Sequence, residues 1–385
     1  MSACPNCGAG VAAEDEFCEA CGQALHEDSR AAAAPAPGSP VEPAARTEST
    51  EPPTAATIPP APGCCACGGT FDADGWCDRC GQRAPSDRDH LVVEISPRLG
   101  AVCDKGRHHP RNEDAVALAE AHCRRVLVVC DGVSSTTDSD VAAVAAANAA
   151  CDVLAAAPSP NVASPAARVE YYSDLMSNAA TVANAEAIGA ARRVGGENAP
   201  SCTFAAAVVD GELVVAGWVG DSRVYWLGDD GTALQLSIDD SWVTDQVDHG
   251  MSRAQAEADP MAHSITRWLG ADATDPTARC GSLAATGAGW VLVCSDGLWN
   301  YCSGASDIAE LIAKYEGRDP TEVAGHLVDW ANEQGGHDNI TVALARVERD
   351  DLPGSTRALP GSTTALPGST PATQTHAAGP QTRSS

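Results

Sequence analysis

Five aspartates stand where an apolar run ends or a tight turn begins: Asp114 in RNEDAVAL, Asp131 in VVCDGVSS, Asp221 in WVGDSRVYW, Asp296 in LVCSDGLWN and Asp338 in GGHDNITVAL. Carboxylate oxygens at turns suit Mg2+ and Mn2+, which keep several waters of their own. Two such ions roughly 3.5–4 Å apart can clamp a phosphoryl group for in-line displacement by water. Taken singly, each aspartate is also an ordinary turn or cap residue. Two of them share a more particular context. VLVVCDG and VLVCSDG each drive a β-branched run straight into Asp-Gly, which puts Asp131 and Asp296 where a buried strand meets solvent.

A second chemistry is written in cysteine. Cys4-x2-Cys7 is followed after ten residues by Cys18-x2-Cys21, and Cys64-x2-Cys67 after nine by Cys77-x2-Cys80. A glycine follows each pair and lets the chain turn just past the second sulfur. Two such turns offer the four thiolates of a tetrahedral zinc site, and segments this short need the metal to fold. Redox pairs or two disulfides are the competing reading. The spacing predicts two structural Zn2+, one for Cys4, Cys7, Cys18 and Cys21 and one for Cys64, Cys67, Cys77 and Cys80; it leaves open whether each set closes its own site. Both segments resemble the zinc ribbons attached to bacterial signalling proteins.

The elements that must position the aspartates fall in residues 90–350. Apolar runs predict strands at Val126–Cys130, Thr203–Val209, Glu212–Val219, Arg223–Leu227, Trp290–Cys294 and Thr341–Val347, and helices at Ser139–Ala157, Ala166–Val194, Ser252–Ala258, Ser306–Tyr315 and Pro320–Glu333. Asp-Gly between two β runs in FAAAVVDGELVVAGW signals an antiparallel hairpin, so the class is a layered α+β domain and not a doubly wound parallel one. Residues 30–62, nearly all Ala, Pro, Thr, Ser and Glu, read as a linker between ribbons at 1–29 and 63–84. The tail, 351–385, repeats LPGST and reads as disordered.

A net charge of −28 opposes phosphate-backbone binding, which excludes a general nucleic-acid partner. MSACPNC carries neither a basic nor an apolar signal region, and the alanine-rich stretch from Val141 to Ala157, with Asn148 and Asp152, reads as a core helix and not a membrane span. The expectation is a cytoplasmic protein with no membrane partner.

RNEDA, CDG after VLVV, GDSRVY, DDSWVTDQVDHG, SDGLWN and GGHDNITV, in that order across residues 90–350, resemble the metal-dependent serine/threonine protein phosphatases of the 2C type (PPM family), bacterial type. The resemblance implies a four-layer αββα sandwich of two antiparallel sheets flanked by helix pairs. It implies two Mn2+ or Mg2+ ions, with a weaker third in bacterial members. Asp131 would bridge the pair, Gly132 would offer its carbonyl to one ion, and Asp296 and Asp338 would hold the other. Asp114, with Glu113, would act through metal-bound waters, Asp221 would join Asp296 at the third ion, and Asn339 would orient Asp338. The implied reaction is hydrolysis of phosphoserine or phosphothreonine on proteins by a metal-activated water, opposing a Ser/Thr protein kinase. The alternative is a weakened domain that binds phosphoproteins or senses, recruited by its ribbons.

Two departures from the family pattern stand out. Three residues before Asn112 the family has a phosphate-gripping arginine; here it is His109, and the reading favours Arg111 as the grip with His109 assisting. Where most members have Asp-Gly-x-Gly-Gly, this chain has Asp131-Gly132-Val133-Ser134-Ser135, a stiffer loop. Outside the ribbons no cysteine begins the Cys-x5-Arg loop that a thiol-based phosphatase needs.

Overall fold

The computed structural model describes residues 2–3, 10–11, 64, 67–72, 75–133, 138–162, 164–194, 199–315 and 317–352. Cys4, Cys7, Cys18, Cys21, the linker, the LPGST tail and Ser134–Ser135 lie outside the described residues. Near the start, β1 (Ser2–Ala3) and β2 (Gly10–Val11) pair antiparallel.

The larger of the two main sheets runs in the order β11 (Ala233–Gln235), β10 (Arg223–Gly228), β14 (Gly289–Cys294), β15 (Ile340–Val347), β4 (Leu99–Asp104) and β3 (His90–Ser96), every pair antiparallel. The other orders β13 (Arg279–Ala284), β9 (Leu213–Val219), β8 (Phe204–Asp210), β6 (Arg124–Cys130) and β5 (Ala115–Ala121), again antiparallel throughout. A two-stranded ladder of β7 (Ser201–Cys202) and β12 (Leu269–Gly270) stands beside them.

The central strands are buried on both faces, which is why they read as unbroken apolar runs. In β6, Val126 and Val128 face the helices while Leu127 and Val129 meet the other sheet; in β14, Val291 and Val293 face inward and Leu292 and Cys294 outward. The two inner faces close on each other through Leu99, Leu127, Val129, Val214, Val293 and Ala343.

Outside the smaller sheet lie α1 (Ser139–Ala156) and α2 (Pro165–Val194). Their alanines, Ala142, Ala146 and Ala150 on α1 and Ala179, Ala183 and Ala187 on α2, are fully buried and let both helices lie flat. α1 is long and apolar enough to cross a membrane by length and composition, but here it is a packed helix of the outer layer. Outside the larger sheet lie α6 (Ala305–Ala313) and α7 (Pro320–Gln334), the latter started by Asp319, whose side chain accepts from the Glu322 amide, and by Pro320 in its first turn. The layers are therefore helix, sheet, sheet, helix. Between β11 and β12 sit α3 (Trp242–Asp248) and α4 (Arg253–Glu257), and α5 (Asp296–Trp299) follows β14 directly.

Candidate metal centre

Both Asp-Gly steps sit at the same edge of the sandwich, one from each sheet. Neither glycine tolerates a side chain. A Cβ on Gly132 would lie 2.7 Å from the Glu113 carbonyl oxygen, and one on Gly297 would lie 2.0 Å from that of Asn339. The glycines are what allow RNED to pack on CDG and SDG to pack on HDN, so four separate stretches meet.

Asp131 leaves β6 with its backbone stitched to the neighbouring strand: its amide donates to Thr203 Oγ1 at 3.0 Å and its carbonyl accepts from the Thr203 amide at 2.8 Å. The Val133 amide donates to the Ser201 carbonyl, so Gly132 bridges to Cys202 with its own carbonyl turned away from that strand. Asp114 precedes β5, whose Ala115 pairs with Cys130, which places it beside Asp131. It is buried, and its Oδ2 accepts from Ser295 Oγ and Thr341 Oγ1, both at 2.7 Å. Asp296 opens α5 and its Oδ2 accepts from Asn300 Nδ2 at 3.0 Å. Asp338 precedes β15, with Oδ1 accepting from the Asn339 amide at 2.8 Å and lying 3.3 Å from His109 Nε2. Asp221 follows β9 on a loop held by Asp240, whose Oδ2 accepts from the Gly220 amide while its carboxylate pairs with Arg267 and Arg279.

The five carboxylates act on one another electrostatically. Burial, then the charges of Asp114, Asp296, Asp338 and Asp221, hold Asp131 well above the usual carboxylate range. Burial, then Asp338, Asp221 and Asp114, do the same to Asp296. Burial pushes Asp114 up to about 6 against the hydrogen bonds from Thr341 and Ser295, and burial with the nearby charge of Asp239 pushes Asp221 up to about 7. Among the described residues no Lys, Arg or His pairs with Asp114, Asp131, Asp221 or Asp296, and Asp114 Oδ1 and Asp296 Oδ1 are buried with no partner. Bare, crowded, all-oxygen donors of this kind fit hard divalent cations and no other common group.

The residues expected to surround the cluster are placed less simply. Glu113 Oε1 accepts from Ser139 Oγ at 2.6 Å and from Arg111 Nε at 2.9 Å. Arg111 is further flanked by Asp138 and Asp140, each at 3.8 Å, so the expected grip is engaged by three carboxylates. His109, only 10% exposed, stands against Asp338 instead. Asn339 holds Asp338 through its backbone amide and not through its side chain. That side chain accepts from the Glu113 amide and donates to the carbonyls of Lys105 and Arg111, pinning RNED in place. Ser295, Thr341, Asn300 and Asp240 were not singled out from the sequence, although all four lie inside or beside the quoted motifs.

The sulfurs of Cys64, Cys67, Cys77 and Cys80 lie within 4.8 Å of one another, with Cys64–Cys80 at 3.6 Å and Cys67–Cys77 at 3.4 Å. A tetrahedral zinc with 2.3 Å bonds places its sulfurs about 3.8 Å apart. The two halves are alike: the Gly68 amide donates to the Cys64 carbonyl and the Gly81 amide to the Cys77 carbonyl, with φ of 70° and 71° at the two glycines. The four sulfurs are close enough together to hold one metal ion.

The family profile described as protein phosphatase 2C matches residues 106–330, and the chain belongs to that family. It is 30% identical over 252 residues to the serine/threonine phosphatase stp of Listeria innocua, covering 64% of this chain and 94% of that protein. It is 34% identical over 148 residues to the protein phosphatase PhpP of Streptococcus pneumoniae, covering 38% of this chain and 57% of that one. The chain thus spans little more than half the length of PhpP. Among solved structures, the catalytic domain of the serine/threonine protein phosphatase PstP in complex with two manganese ions is 25% identical, with a TM-score of 0.52 over 65% of this chain and 98% of that domain.

Proposed function

We propose that residues 90–350 form a metal-dependent protein phosphatase that hydrolyses phosphoserine and phosphothreonine on proteins, opposing a Ser/Thr kinase. The observation that carries this reading is the convergence of five aspartates, two of which, Asp114 and Asp296, keep a buried oxygen without a hydrogen-bond donor, and four of which form no ion pair with Lys, Arg or His among the described residues. When bound, two Mn2+ or Mg2+ ions would lower the pKa of an attacking water and stabilise charge developing on the phosphoryl oxygens. Asp131, the Gly132 carbonyl, Asp296 and Asp338 would hold that pair, and Asp221 with Asp296 a third ion. The chain's own part is preorganisation: Thr203 fixes Asp131, Asn300 fixes Asp296, the Asn339 amide fixes Asp338 and Asp240 fixes the Asp221 loop, so that little reorganisation accompanies the reaction.

Structural zinc at Cys64, Cys67, Cys77 and Cys80 is part of the same proposal, supported by the sulfur spacing and by the turn glycines. The ribbon would recruit or regulate, in a cytoplasmic setting.

Manganese-dependent release of phosphate from a phosphothreonine peptide by the full chain tests the reading. Activity that Asp131→Ala abolishes supports it. A wild-type chain inactive with both Mn2+ and Mg2+, or an Asp131→Ala variant as active as wild type, would refute it.

A further inference from the structure

We infer that Ser295 and Thr341 are positioning residues of the metal centre: their hydroxyls clamp one oxygen of Asp114 and so keep its other oxygen bare for the metal pair or its waters. The inference rests on the phosphatase reading above and goes beyond it in naming what sets the geometry of Asp114.

Asp114 Oδ2 accepts two hydroxyl hydrogen bonds of 2.7 Å, one from each residue, while Oδ1 is buried without a hydroxyl, amide or cationic donor and the carboxyl lies beside that of Asp131. Ser295 and Thr341 are themselves fully buried. They come from the ends of adjacent strands and are locked together, the Thr341 amide donating to Ser295 Oγ at 2.9 Å and the Ser295 amide to the Thr341 carbonyl at 3.2 Å. Because Ser295 Oγ already accepts from that amide, its single proton is left for Asp114. On the other side Thr341 Oγ1 touches Cys103 Sγ at 3.1 Å, and Asn112 Nδ2 donates to the same sulfur at 3.1 Å. The threonine therefore has little freedom to turn away.

The chemistry of the donors decides between a positioning and a merely structural role. A buried carboxylate needed only for stability gains most when both oxygens are paired or when an arginine neutralises it. Here the donors are neutral and sit on one oxygen only, which orients the group without cancelling the charge that a divalent cation requires. Asp296 shows the same one-sided arrangement, with Asn300 on Oδ2 and nothing on Oδ1.

The test compares Thr341→Val, which keeps shape and removes the hydroxyl, with Thr341→Ser, which restores it, and with Ser295→Ala. Mn2+ binding is followed by titration calorimetry of the full chain, hydrolysis by kcat and KM on a phosphothreonine peptide, and folding by Tm. Removal of an outer hydrogen bond to a ligand costs about 10- to 100-fold in metal affinity or activity. Thr341→Val is expected to lose at least about 10-fold in kcat or in Mn2+ affinity, with KM for the peptide within about 3-fold, and Thr341→Ser to recover to within about 3-fold of wild type. A purely structural role would lower Tm and leave the Mn2+ isotherm and kcat untouched in both Thr341→Val and Ser295→Ala, and that result overturns the inference. Should Thr341→Val not fold, Ser295→Ala against wild type carries the same comparison. Wild-type chain that neither binds Mn2+ nor releases phosphate overturns the phosphatase reading and this inference with it. Wild-type function with unchanged variants overturns this inference alone.

Discussion

Without a cation, the aspartate cluster makes the fold less stable as pH rises, and divalent metal should abolish that dependence. The sign follows from the direction of the shifts. A carboxyl whose pKa is higher in the folded chain than in the unfolded one holds a proton that the unfolded chain has already released, so its stabilising effect is complete below about pH 4 and is lost as pH rises through the folded value. Asp114 is pushed up to about 6 and Asp221 to about 7. Each pH unit between the two states is worth about 1.4 kcal/mol, so between pH 5 and pH 7.5 these two groups together cost the metal-free fold roughly 4 kcal/mol. At about 2–4 °C per kcal/mol for a domain of this size, Tm in EDTA should fall by roughly 10 °C across that range. Asp131 and Asp296, also raised by burial and by the neighbouring carboxylates, act in the same direction. A saturating concentration of Mn2+ replaces the protons, so Tm should then be nearly flat, and the stabilisation by metal should be larger at pH 7.5 than at pH 5. Differential scanning fluorimetry at fixed ionic strength in EDTA and in Mn2+ measures all four conditions. A metal-free Tm that stays level from pH 5 to 7.5, or Mn2+ that raises Tm equally at both ends, would refute the reasoning.

Gly297→Ala sets a Cβ 2.0 Å from the Asn339 carbonyl oxygen, so urea unfolding should record a loss above about 2 kcal/mol, with weakened Mn2+ binding because Asp296 and Asp338 are displaced together. Arg111 is already engaged by Glu113, Asp138 and Asp140, whereas His109 stands against Asp338. His109→Ala should therefore raise KM for a phosphopeptide more than Arg111→Ala does, and steady-state kinetics showing the reverse order would restore the arginine as the grip. Cys77→Ser should lower the bound zinc of purified chain, measured by elemental analysis. It should also expose residues 64–84 to proteolysis while leaving peptide hydrolysis within about 3-fold, since a structural metal acts through folding.

Most strands buried on both faces were plain in the sequence, β4 (LGAVCD) being the exception because its short run with glycine second makes no β-branched block, and those with one face in water were not. VLVVC and WVLVC announced β6 and β14 because each side chain, alternately to helix and to sheet, is apolar. β3 (HLVVEIS) and β13 (RCGSLA) lie at sheet edges with much of their length exposed, and β5 (AVALAEA) is half alanine, so none formed a run that could be told from a loop or helix. α3, started by the Ser241 cap, was read only as part of a motif.

The site divides in the same way. The sequence alone determined that five aspartates stand at strand ends or tight turns, that their oxygens suit hard divalent cations, and that glycine follows two of them. All of that is local, written in residue type and spacing within a few positions. Only the tertiary structure decided which oxygens are paired and which are bare, because the donors come from far along the chain: Thr341 and Ser295 reach Asp114, and Asn339 reaches Glu113. It also decided that Arg111 turns to Glu113 while His109 faces Asp338, a choice between neighbouring side chains that spacing does not encode. Hydrogen bonds and desolvation depend on what packs around a group, and at this centre strands from both sheets do the packing.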